Sequence, residues 1–305
     1  MQVTLIHNPA AGTEDQPDAE HIMALIANAG HSARYQSSQH ADWPRVLDQP
    51  SDLFAIAGGD GIVGMVAARL VGKRAPVTIL PTGTANNIAS ALNLKGRPLA
   101  DLIAGWSDAD RLRFDIGSAQ GPWGSNYFFE GVGIGAFTDT MARLDARRNV
   151  DLAHHEQSEK KIQTALQIMK IRLEGCPAIP LKMTVDGRDQ SGDYVLLEAM
   201  NIRSIGPNLC LAPQADPTDG VLDFVLVRND ERAKLDAFLS ARLAGEPNGP
   251  TLSVVRGRHL HIECDETRLH LDDDVWPGQG EHPPFTPMII DLTLHPEKLV
   301  VLVPR

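Results

Sequence analysis

Cysteine is scarce. Cys176, Cys210 and Cys264 are the only three, far apart in the chain. That spacing supplies neither a disulfide framework nor the paired CxxC ligands of a zinc site, so they read as reduced core thiols. Long apolar runs are missing too, with none approaching the ~18 residues that cross a bilayer. The start, Met1 to Gly12, lacks the charged beginning and apolar stretch of a secretory signal, and a cytoplasmic protein is expected. Positive charge is also short: 28 Lys+Arg stand against 39 Asp+Glu, a net charge of −11. A nucleic-acid binder needs a basic surface to displace counterions from phosphate, so no nucleic-acid partner is expected. Attraction to an anionic membrane would have to come from a local patch. What remains, 305 residues with 43% hydrophobic and 22% charged, is the composition of a soluble globular protein of one large domain or two ordinary ones.

The first third alternates short apolar runs with amphipathic stretches. Val3 to Ile6, Leu53 to Ala57 and Val77 to Leu80 read as strands. Each is followed by a loop and a helical pattern: Ile22, Leu25, Ile26 and Ala29, then Ile62, Val66 and Leu70, then Ile88 and Leu92. Repeated strand, loop and helix call for a parallel sheet covered by helices, whose ligands bind beyond the carboxyl ends of the strands. After about Asp115 the rhythm changes. Lys182 to Val185 and Tyr194 to Met200 read as strands joined through Asp186-Gly187, with Val221 to Val227 and His259 to Cys264 as further strands. Helices are expected near Ser158 to Leu173 and Glu231 to Leu243. By periodicity alone Leu299 to Val303 belongs to either part.

The turns after the early strands carry the chemistry. They are Asn8-Pro9-Ala10-Ala11-Gly12, Gly58-Gly59-Asp60-Gly61 and Pro81-Thr82-Gly83-Thr84-Ala85-Asn86-Asn87. On a parallel sheet they emerge at one edge. Glycines let backbone N–H groups converge on an anion, and the helix after each loop adds the positive end of its dipole. This suits a polyphosphate, with Asp60 placed to hold Mg²⁺ among the phosphates. The other reading is a set of tight strand-to-helix connections. No Walker A loop is present, because Gly72-Lys73 is followed by Arg74. Gly131-Val132-Gly133-Ile134-Gly135 lacks the βαβ context of a dinucleotide site.

GGDG at Gly58 to Gly61 followed by PTGTANN at Pro81 to Asn87 resembles the catalytic region of the diacylglycerol kinase and sphingosine kinase family, especially its bacterial lipid kinases. The likeness extends to Asn8-Pro9 and Gly12 upstream, and to Asn201 and the segment Ala212 to Asp223 downstream. It implies an α/β nucleotide-binding domain with a parallel sheet at 1–115, like NAD kinase and diacylglycerol kinase. It also implies a mostly β-sandwich acceptor or lipid-binding domain at 116–295, a strand at 296–305 returning to the first domain, and an interdomain cleft. The implied chemistry is transfer of the γ-phosphoryl group of ATP to a lipid hydroxyl, with Mg²⁺ and transient contact with the inner membrane surface. Asn8, Gly12, Gly58, Gly59, Gly61, Thr82, Gly83, Thr84 and Asn86 would bind nucleotide, and Asp60 would face phosphate and metal. Asp216 and Asp219 resemble the family's second, structural metal site. Asp272-Asp273-Asp274 resembles its Asp-Gly-Glu element, with Asp274 in the place of the proposed general base and Asp272 assigned to metal. The same residues also read as charged turns.

Two positions depart from the family. Asn87 stands where Asp is usual, and Ile62 replaces a Thr or Ser after GGDG. These departures keep open a catalytically weak nucleotide-binding protein, and the low aromatic content (5%) keeps open a kinase of a soluble hydroxyl-bearing metabolite. His259 and His261 alternate along one strand face and read as solvent-facing. His154, His155, Lys160, Lys161, Lys170 and Arg172, preceded by Arg143, Arg147 and Arg148, surround the stripe Ile162, Leu166, Met169 and Leu173. That helix either rests on a membrane or packs on a core with a solvated outer face.

Overall fold

The computed structural model describes residues 1–12, 16–148, 158–246, 249–265, 268–278 and 287–305. They form two compact units, one of Met1–Ile116 with Pro296–Arg305 and one of Gly117–His295.

In the first unit, β1 (Gln2–His7), α1 (Ala19–Asn28), β2 (Ser32–Ser37), β3 (Leu53–Gly58), α2 (Asp60–Leu70), β4 (Val77–Pro81), α3 (Asn87–Ala91), α4 (Leu99–Ala104) and β5 (Asp110–Phe114) follow in order. The sheet order is β2-β1-β3-β4, then Leu299–Val303, then β5. Strands β1 to β4 run parallel, while Leu299–Val303 lies antiparallel to β5 and meets β4 in parallel at Val301 and Val77. Periodicity could not place that last strand, because an apolar run records burial and not the identity of its neighbour. The whole of β3 is buried, as a central strand covered on both faces requires. By contrast β2, with the sequence SARYQS, is a partly exposed edge strand with no apolar run to read. Helix α1 buries Ile22 and Ile26, and Asp18 caps it by accepting the His21 N–H at 2.8 Å.

The second unit runs β6 (Gly117–Gly121), β7 (Gly124–Phe128), β8 (Gly131–Gly135), α5 (Ala136–Arg148), α6 (Ser158–Gly175), β9 (Ile179–Val185), β10 (Arg188–Asp189), β11 (Gly192–Met200), β12 (Ser204–Ile205), β13 (Leu209–Cys210), β14 (Leu222–Arg228), α7 (Arg232–Leu243), β15 (Val254–Gly257), β16 (His259–Cys264), β17 (Leu269–Leu271), β18 (Asp274–Trp276) and β19 (Met288–Leu294). Its main path is β18-β17-β8-β11-β9-β16-β19-β6-β7, with β14 beside β11 and β15 beside β14. Phe128, Val132, Tyr194, Phe224, Leu260 and Ile290, from strands spread along that path, share one core. The sheet therefore folds over on itself as a sandwich. A second core packs Phe137, Leu166, Met169, Leu173, Leu235 and Phe238 of α5, α6 and α7 against Val195 and Leu196 of β11.

Several expectations change in detail. The Asp186-Gly187 turn joins β9 to the two-residue β10, and not directly to β11. Both turn residues have positive φ, 47° and 76°, the conformation that suits a tight hairpin and that Asp-Gly favours. The apolar stripe of α6 is buried against α7, and Lys170 bonds Asp236 (2.5 Å) and Ser240 (2.7 Å) across the pair. His154 and His155, and the side chains of Arg147, Arg148 and Lys161, lie outside the described residues. Both His259 Nε2 (2.8 Å) and His261 Nδ1 (2.9 Å) turn to Asp291 Oδ1 on β19 and do not simply face solvent. Cys176 and Cys264 are buried and Cys210 is half-buried, all three unbridged. No helix of the described residues is long and apolar enough to cross a membrane.

Candidate functional site

Because β1, β3 and β4 are parallel neighbours, the turns that follow them leave one edge of the sheet side by side. They are also in contact. The Asn8 N–H donates to the Ala57 carbonyl at 2.9 Å, and the Thr82 N–H to the Gly58 carbonyl at 3.2 Å. The glycines set how closely the turns approach. A Cβ on Gly83 would sit 2.3 Å from the Gly59 Cα, and one on Gly12, whose φ is +79°, would sit 2.2 Å from the Thr82 carbonyl oxygen. Any side chain at these points would prise the turns apart. A Cβ on Gly58 would meet Ile62 Cγ2 at 2.3 Å, so the hydroxyl-for-isoleucine departure has become packing beneath the GGDG turn. Asn86, in the left-handed region at φ 54°, closes the third turn. Its Oδ1 accepts the Gly83 N–H (3.0 Å) and its Nδ2 donates to the Gly83 carbonyl (2.7 Å). Thr82 is buried and Thr84 half-buried on the same loop, and Asn8 Oδ1 accepts the Ala10 N–H at 3.1 Å.

Asp60 is the first residue of α2, yet its carboxylate caps α3. Oδ2 accepts the Asn87 N–H and Oδ1 the Ile88 N–H, both at 2.9 Å. This corrects the expectation that each helix offers its open N-terminus to an anion: these two donors of α3 are taken by Asp60. Burial pushes the Asp60 carboxyl up, against the pull of those N–H groups and of Lys95. At the end of β1, burial holds the His7 imidazole below its ordinary pKa. A depressed histidine favours the neutral folded form. His7 therefore contributes stability that is full above the unfolded value of 6.5 and is lost as pH falls below it. His7→Gln is expected to flatten the fall in urea midpoint below about pH 6.5, measured by denaturant titration at stepped pH.

In the second unit, β17 and β18 form a hairpin turning at Asp272-Asp273. Asp272 sits in this turn at φ 47°. It accepts backbone N–H groups from Phe129 (2.8 Å), Glu130 (2.8 Å) and Gly131 (3.0 Å), and its own N–H donates to the Gly131 carbonyl at 2.8 Å. Asn201 Nδ2 holds the Phe129 carbonyl at 3.0 Å. The carboxylate of Asp272 thus ties down the chain ahead of β8. Burial raises its carboxyl to about 7 against those three N–H groups. Asp274 opens β18 and is exposed.

Asp216 and Asp219 likewise have protein partners. Asp216 Oδ1 accepts the Thr218 N–H (3.0 Å) and hydroxyl (2.7 Å). Asp219 pairs with Arg256, which also lies 3.5 Å from the buried Asp223 opposite it on the neighbouring strand. The structure thus gives this turn an arginine as its positive charge. Among the described residues, no three His, Cys, Asp or Glu side chains are grouped to hold a metal. A hard cation at Asp60 would depend on phosphate oxygens and water, as Mg²⁺ commonly does.

One cluster left no mark in the motifs. Glu198 on β11 and His270 on β17 are fully buried and meet at 2.8 Å through Oε2 and Nε2. Both are in register with Gly133 of β8, the strand between them. A Cβ there would lie 2.1 Å from Glu198 Oε2, so the middle glycine of GVGIG lets the pair meet. His270 Nδ1 donates to the Asp272 carbonyl at 3.1 Å. Burial pushes the Glu198 carboxyl up, against His270. Burial pulls His270 down, but Glu198 and Asp272 outweigh it and hold the imidazole above its ordinary pKa. The signals available were an acid within the apolar run YVLLEAM and a histidine within LHL, and neither names its partner.

Comparison with known proteins matches residues 2–119 to the family described as the diacylglycerol kinase catalytic domain. Residues 141–303 match the YegS C-terminal NAD kinase beta sandwich-like domain. A diacylglycerol kinase of Mycobacterium tuberculosis is 24% identical, covering 100% of this chain and 96% of its own. A YegS-like lipid kinase of Xanthomonas oryzae is 26% identical over 80% of this chain and 84% of its own. In fold, a diacylglycerol kinase structure from Bacillus anthracis superposes with a TM-score of 0.66 at 22% identity, covering 96% of this chain and 94% of the other. An α/β domain with a parallel sheet, followed by a β-sandwich, is the fold shared with these matches. The chain belongs to the diacylglycerol kinase and YegS-like lipid kinase family, phosphotransferases that act on an alcohol group.

Proposed function

We propose that this protein transfers the γ-phosphoryl group of ATP to the hydroxyl of a diacylglycerol-like or sphingoid-like lipid, with Mg²⁺. The observation that carries the reading is the contact of the GGDG and PTGTANN turns, Gly59 against Gly83, with the Asp60 carboxylate beside them at one sheet edge. Phosphoryl transfer asks a protein mainly for positioning and charge stabilisation. Backbone N–H groups of turns kept free of side chains at Gly58, Gly59, Gly61 and Gly83 supply the first, with Asn8, Gly12, Thr82, Thr84 and Asn86 shaping the nucleotide pocket. Asp60, with phosphate oxygens and water, is the residue to hold Mg²⁺, which when bound neutralises charge on the transferring group. Asp274, exposed on its hairpin, is the candidate to take the acceptor proton. A lipid acceptor brings with it transient contact with a membrane surface.

A second reading, a nucleotide-binding protein of weak turnover, is favoured by one observation. Where the family usually carries Asp, Asn87 is buried, and its N–H is spent on Asp60. Labelled ATP and Mg²⁺ with panels of diacylglycerols, monoacylglycerols, sphingoid bases and soluble alcohols separate the readings. Label in an organic-extractable product is expected. ATP-dependent thermal stabilisation without turnover supports the second reading instead, and label confined to a water-soluble product points to a soluble acceptor. Asp274→Glu and Asn87→Asp are expected to change the rate. An unchanged rate with Asp274→Ala removes Asp274 from catalysis.

A further inference from the structure

The Glu198 and His270 pair is one end of a chain of contacts that finishes at the turn before Asp274. From Glu198 Oε2 it passes to His270 Nε2 (2.8 Å), and from His270 Nδ1 to the Asp272 carbonyl (3.1 Å). The Asp272 carboxylate then gathers the N–H groups of Phe129, Glu130 and Gly131. Asp274 opens the strand that leaves this turn, with Leu271 opposite it in the ladder. A two-residue turn between three-residue strands has little of its own to hold it. His270 anchors the turn's backbone from the core side, and Glu198 sets the imidazole's orientation, as a carboxylate does for a ring with two distinct nitrogens. Building this pair requires two ionisable side chains at zero exposure, a glycine at 133, and one carboxylate oxygen, Glu198 Oε1, without a hydrogen-bond partner. An apolar pair would fill the same space with less desolvation cost.

We propose that Glu198 and His270 are positioning residues that hold the Asp272-Asp273 turn, and with it Asp274, in the geometry used for phosphoryl transfer. The inference rests on the lipid kinase reading for its catalytic consequence, but not for its structural one. The two are tested separately in the full-length protein with Glu198→Leu, Glu198→Gln and Gly133→Ala. Leu cannot bond the imidazole. Gln can accept from or donate to Nε2, so it serves whichever ring nitrogen carries the proton. Gly133→Ala keeps both partners and drives Glu198 away from His270, since the added Cβ would overlap Oε2.

Glu198→Leu and Gly133→Ala are expected to lower kcat by about 10- to 100-fold, with KM for ATP within about twofold. Both should raise amide exchange at Phe129, Glu130 and Gly131 by about tenfold, and Glu198→Gln should restore both readouts. Wild-type kcat and wild-type protection in folded Glu198→Leu or Gly133→Ala overturn the proposal. So does a Glu198→Gln variant that loses as much as Glu198→Leu. Should Glu198→Leu fail to fold, Glu198→Gln and Gly133→Ala decide. If the wild type turns over no lipid, the exchange pattern alone decides, so failure of the kinase reading shows as absent turnover with the exchange prediction still readable.

Discussion

Replacing Asp272 by Ala is expected to be the most destabilising single change in the second unit. The carboxylate accepts three backbone N–H groups, from Phe129, Glu130 and Gly131, and alanine leaves all of them without it in a buried place. At about 1 kcal/mol or more for each orphaned donor, the loss is at least about 3 kcal/mol, read as a fall in urea midpoint with the slope unchanged. The same side chain carries a pH signature. Burial raises its pKa from 3.8 to about 7, so the folded chain favours the protonated form. Its contribution to stability is therefore full below the unfolded value of 3.8 and is lost as pH rises through about 7. Asp272→Asn, which cannot titrate, is expected to remove that slope between about pH 4 and about pH 7 in the same denaturation series.

Asp60→Ala is expected to have the largest effect on turnover. Its carboxylate binds the second and third of the contacting turns together, through the Asn87 and Ile88 N–H groups, at the edge where the phosphates are proposed to sit. Losing the cap of α3 costs about 1 to 2 kcal/mol of stability, a few degrees in thermal midpoint. Losing the charge proposed to organise metal and phosphate is expected to cost far more in rate, about 10²- to 10³-fold in kcat, by analogy with removing one stabilising group from a charged transition state. The two effects are separable. Asp60→Asn keeps one acceptor oxygen and should recover part of the thermal midpoint while recovering little of the rate. A variant whose rate follows its stability, with no further loss, would make Asp60 a helix cap and nothing more.

How far each feature was legible depended on how local its cause is. Turn chemistry is local. Gly58-Gly59-Asp60-Gly61 and Pro81 to Asn87 announce themselves because glycine and asparagine tolerate backbone that other residues resist, and the three buried strands before the turns are mostly apolar, broken only by Thr4 and Thr78 within Val3 to Ile6 and Val77 to Leu80. Edge strand β2 and the exposed strand β7 left no such trace, because only one side chain of each is buried and the others need not be apolar. At Asp216 and Asp219 the resemblance pointed to a metal site and the residues alone to a charged turn, and neither reading named Arg256, which pairs with Asp219 from 37 residues further on.

From its amino acids alone this protein could be recognised as a parallel sheet with glycine-rich turns of a lipid kinase type, because parallel-strand periodicity and glycine placement are written within a few residues of each other. Only the tertiary structure decided what the acids do. Asp60 finds its donors 27 and 28 residues away, Glu198 finds His270 across 72, and Asp272 finds Phe129 across 143. A carboxylate costs too much to bury unpaired, so its role is set by whichever donor the fold brings to it, and that pairing follows from strand order and register.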